Sequence, residues 1–575
     1  MPTGGPKDTI PPTLLKVVPE NKSINFEEDQ ITLTFDEFIK TEDINNQLII
    51  TPRLEEENEY KVNKNTLTIE LNEELDSSTT YTFNFQDAVQ DINESTPAED
   101  LVIAFSTGTY IDSLSIQGTI TELLTNKPIE EAVVALYEAN DTLDIFNSKP
   151  QYFTRTKEDG TYKIENLKAD TFKIYAFNDP NNNLTAQSDK EAYGFIANNI
   201  LLDSLVTTIN IPIIRRNIKE FMIQSARPNG KYFEVKFNKY VDDYNIRLLD
   251  SELDSLLSNP IGEQSTIRIY NTITVDSVGA EITAIDTIGQ KLIDTVYVKF
   301  PETQRQSDPI SYTLVPPSNE LVEENYEGKI TFNKPTFIVS LDSAFVYYDS
   351  LLVDSINRSE ITWNKYHNIL TLNKKLDRSI LTKLKMRNDS IKTSSPKIAD
   401  SLKTTMPANQ TEEQPSTQPK EIKSDPEAKK EDQPKKVKNK FEKPDAKLIL
   451  FLGKHTFQSI ENDTIPEILA LYSFKETKDM GLIKGTVKTD KKNYTIQLLD
   501  KAFKPIKEAS DTKTFVFDLI PPGEYQLRIL IDNDEDGVWE PGNILKNEEP
   551  EDIYFITEPI IIRANWERLL EEIEF

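Results

Sequence analysis

The residues that come nearest to a metal-binding motif lie in IDNDEDGVWEPGN, residues 531–543. Carboxylates occupy alternate positions, and a glycine follows the third. Calcium loops use this order, with side-chain oxygens at positions 1, 3 and 5, a glycine at 6, a backbone carbonyl at 7 and a further oxygen at 9. The pattern therefore predicts a weak calcium loop. Its candidate ligands are Asp532, Asp534, Asp536, Val538 and Glu540.

Two features distinguish this segment from an EF-hand. Asn543 stands at position 12, where an EF-hand has a bidentate glutamate. Pro541 and Gly542 also prevent a helix from leaving the loop. A calcium loop between two strands fits the residues, and so does an acidic hairpin turn, in which Asn, Asp and Gly are expected without any metal. Both interpretations stay open.

A related but less charged segment, NDPNNNLTAQSD, occupies residues 178–189. Asp179, Asn181 and Asn183 keep the alternation of oxygen ligands, and Asp189 adds a second carboxylate. These residues could hold a weaker cation site. An asparagine-rich turn explains the same composition, because Asn side chains favour tight turns.

The totals argue against several other kinds of chemistry. The 575 residues include 96 acidic and 65 basic side chains, a net charge of −31, which would repel nucleic acid. Without cysteine there are neither disulfides nor thiolate metal sites, and two histidines, His367 and His455, are too few for a multi-histidine zinc site. No glycine-rich phosphate loop occurs. We therefore predict a non-enzymatic protein with no cofactor other than calcium.

Three tryptophans and one basic cluster are the remaining candidates for binding. Trp363, Trp539 and Trp566 could stack on carbohydrate or anchor a partner, or could pack in cores and between domains. The cluster KKVKNK (435–440) could touch anionic lipid or a partner, but nearby Glu and Asp favour a solvated linker.

The elements that must position these residues are predicted to be strands. Apolar, β-branched and aromatic residues alternate or run together in ITLTFDEF (31–38), TLTIEL (66–71) and YTFNF (81–85), separated by Asn, Asp, Pro and Ser. This pattern predicts an all-β fold of sandwich domains. The best helix candidate is ANWERLLEEIEF (564–575), in which Leu569, Leu570, Ile573 and Phe575 lie near one helical face.

Repeats divide the chain further. LNEELDSS (71–78) has the spacing of LNKKLDRS (372–379), and IQGTI (116–120) is matched by IKGTV (483–487). A tract rich in Pro, Lys, Glu, Ser and Gln lies between the halves of the second copy, and its composition predicts disorder. The predicted ranges are a tether (1–12), a first domain (13–108) and its follower (109–213), a middle domain (214–305), a second copy of the first domain (306–390 and 446–478) interrupted by the disordered insertion (391–445), and a second follower (479–575).

Family resemblances rest on these segments. DTIPP (8–12), LIITP (48–52) and AFSTG (104–108), among others, resemble bacterial Ig-like domains of the surface-layer type. KEDGTYKIENL (157–167) and PPGEYQLRI (521–529) resemble transthyretin-like modules. With Gly4-Gly5-Pro6-Lys7-Asp8 near the start, the whole chain resembles Bacteroidota outer-membrane lipoproteins, although the lipidated cysteine of that group is absent.

These resemblances imply tandem Ig-like and transthyretin-like sandwiches in an outer-membrane-associated protein, anchored by lipid in its native form. They leave the membrane face open and favour the extracellular one. They imply an interaction subunit of an envelope complex, such as an outer-membrane assembly or secretion machine. The alternative is an adhesion module that binds glycans or peptides. A resemblance in fold does not by itself decide between these two functions.

Overall fold

The computed structural model describes residues 9–140, 142–204, 206–250, 256–348, 351–380, 383 and 448–575. Most of the predicted tether and the whole predicted insertion (391–445) lie outside these residues, so the prediction of disorder stays a prediction. The regular secondary structure of the described part is almost entirely strands, and the all-β fold class is confirmed. Short helical segments include α1 (Ile44–Gln47) and two 3-10 turns (Arg358–Glu360 and Thr477–Asp479). Each sheet takes its strands from one of five ranges, called modules 1 to 5 below.

Module 1 (13–108) consists of two main sheets and a small two-stranded one. The strand orders are β1-β2-β6-β5, β4-β7-β9 and β3-β8. On β2, Ile31, Leu33 and Phe35 point into the core while the intervening threonines do not, as the alternation in the sequence predicts. The strands are β1 (Leu14–Val18), β2 (Gln30–Phe35), β3 (Ile39–Thr41), β4 (Ile49–Thr51), β5 (Glu59–Asn63), β6 (Thr66–Glu70), β7 (Thr80–Asn84), β8 (Val89–Asp91) and β9 (Val102–Ser106).

Module 2 (109–213) packs the sheet β13-β10-β17, extended by β18, against β12-β11-β14-β15, extended by β16. Strand β10 is long, and both β17 and β18 pair with it in parallel. The strands are β10 (Leu114–Glu122), β11 (Val133–Glu138), β12 (Tyr152–Arg155), β13 (Thr161–Leu167), β14 (Thr171–Phe177), β15 (Tyr193–Phe195), β16 (Ile200–Leu201), β17 (Val206–Thr208) and β18 (Ile211–Ile213).

Gly118 lies where the chain crosses from β17 to β18. A Cβ atom on Gly118 would lie 1.7 Å from the carbonyl oxygen of Ile209. That oxygen accepts a hydrogen bond from the Tyr162 hydroxyl at 2.8 Å, and the Ile209 N–H donates to Gln117 at 2.8 Å. The G-T of IQGTI is therefore explained by a close approach of two backbones, which only glycine permits.

Module 3 (214–305) has the sheets β19-β20-β23-β22 and β21-β24-β25 around one core. Strand β24 alternates buried and half-buried residues over its whole length, as the central strand of a half-covered sheet should. The strands are β19 (Ile223–Asn229), β20 (Tyr232–Phe237), β21 (Val241–Leu248), β22 (Ser258–Ile261), β23 (Thr266–Ile269), β24 (Ser277–Asp286) and β25 (Lys291–Lys299).

Module 4 (306–390 and 446–478) repeats elements of the pairing scheme of module 1. The order β26-β28-β33-β32 corresponds to β1-β2-β6-β5, and the pair β29-β35 corresponds to β3-β8. Its other sheet has the order β27-β36-β34-β30-β31. The strands are β26 (Tyr312–Val315), β27 (Leu321–Val322), β28 (Asn325–Phe332), β29 (Thr336–Ile338), β30 (Ala344–Tyr348), β31 (Leu351–Ser355), β32 (Ile361–Trp363), β33 (Ile369–Lys375), β34 (Leu448–Leu452), β35 (Phe457–Ser459) and β36 (Ile468–Phe474).

Module 5 (479–575) repeats the scheme of module 2, with the sheets β40-β37-β43 and β39-β38-β41-β42. Strand β44 also pairs with β37, so β43 and β44 lie where β17 and β18 lie in module 2. The strands are β37 (Gly481–Lys488), β38 (Asn493–Leu499), β39 (Pro505–Ser510), β40 (Thr514–Ile520), β41 (Gly523–Asp532), β42 (Ile553–Ile562), β43 (Glu567–Leu569) and β44 (Ile573–Glu574).

The predicted C-terminal helix is wrong, because this segment forms the parallel edge strands β43 and β44. Leu570 donates its N–H to the carbonyl of Lys484 at 2.9 Å, as Ile209 does to Gln117 in module 2. Ile573 is buried in the core, whereas Leu569 is exposed, so the apolar residues do not share a helical face. Pairing with an available sheet edge outweighs the local helical period.

A further apolar cluster joins the modules. It covers the outer face of the sheet β12-β11-β14-β15 with Val133, Tyr137 and Phe177 of module 2. Ile49 of module 1 belongs to this cluster, while Ile218 of module 3 and Ile544 of module 5 pack against it. Module 2 is thus the common packing partner of three other modules.

Candidate functional site: the acidic loop and its docking arm

The acidic loop, residues 532–540, follows the buried strand β41. Asp532 ends that strand and is only 7% exposed. The chain then turns through Glu535 and Gly537, which have φ values of 63° and 95°. Nothing lies within 4 Å of a Cβ built on Gly537, so backbone conformation, and not lack of space, favours glycine there.

Three of the predicted ligands converge. One carboxylate oxygen from each of Asp532, Asp534 and Asp536 lies within 4.8 Å of the other two. Asp532 is buried and the other two are exposed. Oxygens so close could share one hard cation, with Asp532 fixed by the sheet and the other two supplied by the turn.

Backbone donors shape this cluster. Asp532 accepts the N–H of Glu535 at one oxygen and that of Gly537 at the other, both at 2.8 Å. Asp536 accepts the N–H of Val538 at 2.8 Å. Burial alone would raise the pKa of Asp532, but the N–H of Gly537 and the other donors outweigh it and lower the pKa below 3.8. The carboxylate is therefore ionised at neutral pH.

The other two predicted ligands are placed differently. Among the described residues, the cluster of converging carboxylates has three members, and Glu540 is not one of them. Glu540 instead donates its N–H to Glu551 at 2.9 Å and accepts the Glu551 N–H at 3.0 Å. Val538 is exposed on the loop, and its N–H is held by Asp536.

Glu551 is a functional candidate that sequence reasoning missed. Its carboxylate accepts the N–H groups of Asn533 at 2.6 Å and Asp534 at 3.3 Å, besides that of Glu540. One side chain thereby closes both ends of the loop. Glu551 lies beyond Pro541 and Gly542, outside any calcium-loop spacing, so no local signal points to it.

The counterpart loop in module 2 holds a basic group where a cation would have to bind. Arg155 places Nη2 at 3.4 Å from Asp179 Oδ2 and 3.0 Å from Asn182 Oδ1. Asp189 pairs with Lys219 at 2.9 Å. The second cation site predicted around Asp179 is therefore disfavoured, because a metal would have to displace a buried guanidinium.

The chain that follows the acidic loop, residues 541–550, forms a docking arm. Asn543 donates to the Ile288 carbonyl of module 3 at 3.3 Å. Asn547 donates to the carbonyl of Ala197 in module 2 at 3.1 Å, and the Ala197 N–H donates to Glu549 at 2.8 Å. With Ile544 in the shared apolar cluster, the arm fastens module 5 to modules 2 and 3.

The tryptophans and histidines have separate surroundings. Trp363 packs against Phe332 and Phe457 at the edge of the module 4 core, and Trp539 is half-buried within the acidic loop. Trp566 is 49% exposed. His367 and His455 lie in turns.

Within the described ranges, the structure contains no helix that is long and apolar enough to cross a membrane.

Comparison with known proteins identifies one part of the chain. A family model for a bacterial Ig-like domain matches residues 8–107. No curated protein matches. Solved structures that match include the major pilin subunit BcpA of Bacillus cereus, at 11% identity over 80% of this chain and 98% of that chain, with a TM-score of 0.14.

Two other solved structures match to a similar degree. The S-layer protein rSbsC has 10% identity over 96% of this chain and 68% of that one, with a TM-score of 0.14. SGBP-B of Bacteroides ovatus, in complex with a mixed-linkage heptasaccharide, has 10% identity over 79% and 94%, with a TM-score of 0.16. At these scores the structural matches carry no argument about function. The family match identifies a bacterial Ig-like domain over residues 8–107.

Proposed function

We propose that this protein is a non-enzymatic scaffold or interaction subunit of the bacterial cell envelope. We propose further that the native protein is anchored by lipid at the outer membrane, with the extracellular face favoured. There it belongs to a protein assembly or secretion complex. The bacterial Ig-like domain at residues 8–107 supports the broad class. The observation that carries the proposal is the docking arm, because it ties module 5 to modules 2 and 3 and so holds several sandwiches in a fixed arrangement.

Further polar contacts between modules support this interpretation. Arg528 of module 5 donates to the Leu124 carbonyl of module 2 at 2.5 Å, and Lys365 of module 4 pairs with Asp243 of module 3 at 2.6 Å. Tyr244 and Tyr366 stack across the same junction, with ring centroids 4.5 Å apart. A fixed array of sandwiches presents edges and loops to a partner without paying for domain ordering on binding.

The test is affinity isolation of tagged full-length protein from native membranes at native abundance, followed by mass spectrometry. We expect stoichiometric recovery of an outer-membrane or envelope protein. A variant with Asn543→Ala, Ile544→Ala and Asn547→Ala should reduce that recovery, while Lys546→Ala, an exposed position in the same arm, should not. Recovery of the chain alone under mild detergent would contradict the proposal.

We also propose that Asp532, Asp534 and Asp536 bind calcium weakly and stabilise the root of the docking arm, with Val538 and Glu540 as the further predicted ligands. For dissociation constants of about 10⁻⁴–10⁻³ M, about 5 mM calcium should add about 1–2 kcal/mol to the free energy of unfolding of module 5. Because the pKa of Asp532 lies below its ordinary value, protonation of this carboxylate should weaken binding only in strongly acidic solution.

Scanning calorimetry with hydrogen exchange of residues 541–550 checks the calcium proposal. Calcium should raise the unfolding temperature and slow exchange in the wild type, but not in Asp534→Asn. Glu535→Gln is the matched control, because this carboxylate faces the same loop but pairs with Lys492 at 2.8 Å. If the unfolding temperature and exchange rates of the wild type are the same with and without millimolar calcium, the calcium proposal is wrong and the segment is an acidic turn.

A second candidate function, the binding of glycans or peptides, is favoured by one observation. Trp566 is half-exposed at the mouth of a cleft between modules 4 and 5. Half-exposed aromatic rings beside polar groups are typical of sites that hold a ligand by stacking and hydrogen bonds.

A further inference from the structure

The two pairs of Ig-like and follower modules meet in different ways. Between modules 1 and 2, strand β13 packs against β7, and Asn166 donates to Thr82 at 2.9 Å. A pocket of about 30 Å³ lies at that junction. Between modules 4 and 5 the corresponding junction is an open cleft of about 620 Å³. The junction of modules 1 and 2 is therefore a close contact, whereas the junction of modules 4 and 5 holds a cavity of ligand size.

The floor of the cleft belongs to module 5. Leu482 of β37 lies beside Glu567 of β43, and both line the cavity with Met480 and Trp566. A Cβ on Gly481 would lie 2.3 Å from Ile562 and 3.3 Å from the Trp566 carbonyl, so the segment before β43 crosses directly over this glycine. That crossing fixes Trp566 at the edge of the cleft.

Four carboxylates and one guanidinium line the cleft, and each of these carboxylates faces a basic group of this chain. Glu323 pairs with Lys475 at 2.8 Å and with Lys507 at 2.9 Å. The other three lining carboxylates also face basic groups of this chain: Glu324–Arg378 at 3.4 Å, Asp518–Lys507 at 3.8 Å and Glu567–Lys484 at 2.6 Å. Neither an anion nor a polycation gains an unpaired opposite charge here. The lining favours a neutral ligand with many hydroxyl groups.

The aromatic ring completes this chemistry. The guanidinium carbon of Arg563 lies 4.6 Å from the centroid of the Trp566 ring and braces it. An indole held in this way offers an apolar surface to the C–H face of a sugar ring, while neighbouring carboxylates and Asn325 can bond its hydroxyls. We infer that the cleft between modules 4 and 5 binds a neutral oligosaccharide, with Trp566 as the stacking residue. This inference rests on the second candidate function and not on the scaffold proposal.

Isothermal titration of the full chain with cellohexaose, maltohexaose, mannohexaose and chitohexaose tests the inference. At about 5 mM ligand, at least one of them should give saturable binding in the micromolar to millimolar range. Trp566→Ala should weaken that binding about tenfold or more, and Asn325→Ala should weaken it less. Leu569→Ala is the matched control: Leu569 is an exposed apolar residue three positions away, outside the cleft lining, and its loss should change nothing.

Several outcomes would overturn the inference. The first is the absence of saturable heat with all four hexasaccharides. The second is an affinity of Trp566→Ala equal to that of the wild type, when the two unfold at the same temperature. The third is binding of hexalysine or a heparin hexasaccharide instead of the neutral hexasaccharides. If Trp566→Ala unfolds at a lower temperature than the wild type, the affinity of Asn325→Ala for the hexasaccharide decides whether the inference holds. Failure here leaves recovery of an envelope partner unaffected, because that assay adds no oligosaccharide ligand and tests the docking arm and not Trp566.

Discussion

Lys239→Met should lower the free energy of unfolding of module 3 by about 3–5 kcal/mol, the usual cost of removing one partner from a buried ion pair. The Lys239 ammonium lies 2.8 Å from an Asp286 oxygen, and their side chains are 5% and 1% exposed. It also donates to Gln290 at 2.9 Å and to the Asn217 carbonyl at 3.1 Å. Methionine fills the volume but leaves the Asp286 carboxylate buried without its cation.

Hydrogen exchange of β24 and β25 measures this loss without requiring the whole chain to unfold in one step. Lys236→Met, at an exposed position on β20, is the matched control and should stay within about 0.5 kcal/mol of the wild type. The double variant Lys239→Met with Asp286→Asn should recover part of the loss, because no unpaired charge remains. Unchanged exchange in Lys239→Met would mean that the pair contributes nothing.

Gly118→Ala should detach the edge strands β17 and β18 and cost module 2 at least about 1–3 kcal/mol, as overpacking does. The new methyl group would lie 1.7 Å from the Ile209 carbonyl oxygen, which cannot stay in place. That oxygen also accepts a hydrogen bond from the Tyr162 hydroxyl. Its displacement therefore breaks a second contact, between β13 and the segment that joins β17 to β18.

Exchange of residues 206–213 should rise in Gly118→Ala while that of β11 and β14 changes less. Tyr162→Phe removes the hydroxyl alone and should cost about 1 kcal/mol, so it separates the lost hydrogen bond from the steric effect. Gln117→Ala, one residue away, should leave the edge strands protected. If β17 and β18 stay fully protected in Gly118→Ala, the close approach at this glycine is not essential.

The fold class followed from the sequence because strand periodicity is local. Ile31, Leu33 and Phe35 alternate with threonines over a few residues, and their burial on β2 follows directly. Repeats extended this reasoning. Phe35 and Phe332 are equivalent positions in modules 1 and 4, because each donates its N–H to the carbonyl of the residue just before the neighbouring strand, Asn65 before β6 and Asn368 before β33.

The candidate site was predictable only where its residues are close in sequence. Asp532, Asp534 and Asp536 converge as their spacing predicts, because a single turn brings them together. Glu551 closes the loop from the chain just before β42, and Arg155 reaches Asp179 from β12, on the far side of β11 from β14. Such contacts depend on the order of strands in the sheet, and local patterns in a single sequence do not predict that order. The misassigned C-terminal helix has the same cause, since β43 forms only because β37 offers an edge.

The docking arm has a consequence for biosynthesis. Ala197 meets Glu549, 352 residues later in the chain, and Leu124 meets Arg528, 404 residues later. At synthesis rates of about 5–20 residues per second, module 2 is synthesised about 20–80 s before its partner. During that interval the part of its outer sheet that Ile544 later covers is accessible to chaperones, proteases and other copies of the chain. The last modules synthesised therefore protect the second one, and truncation near residue 540 should expose a surface far from the break.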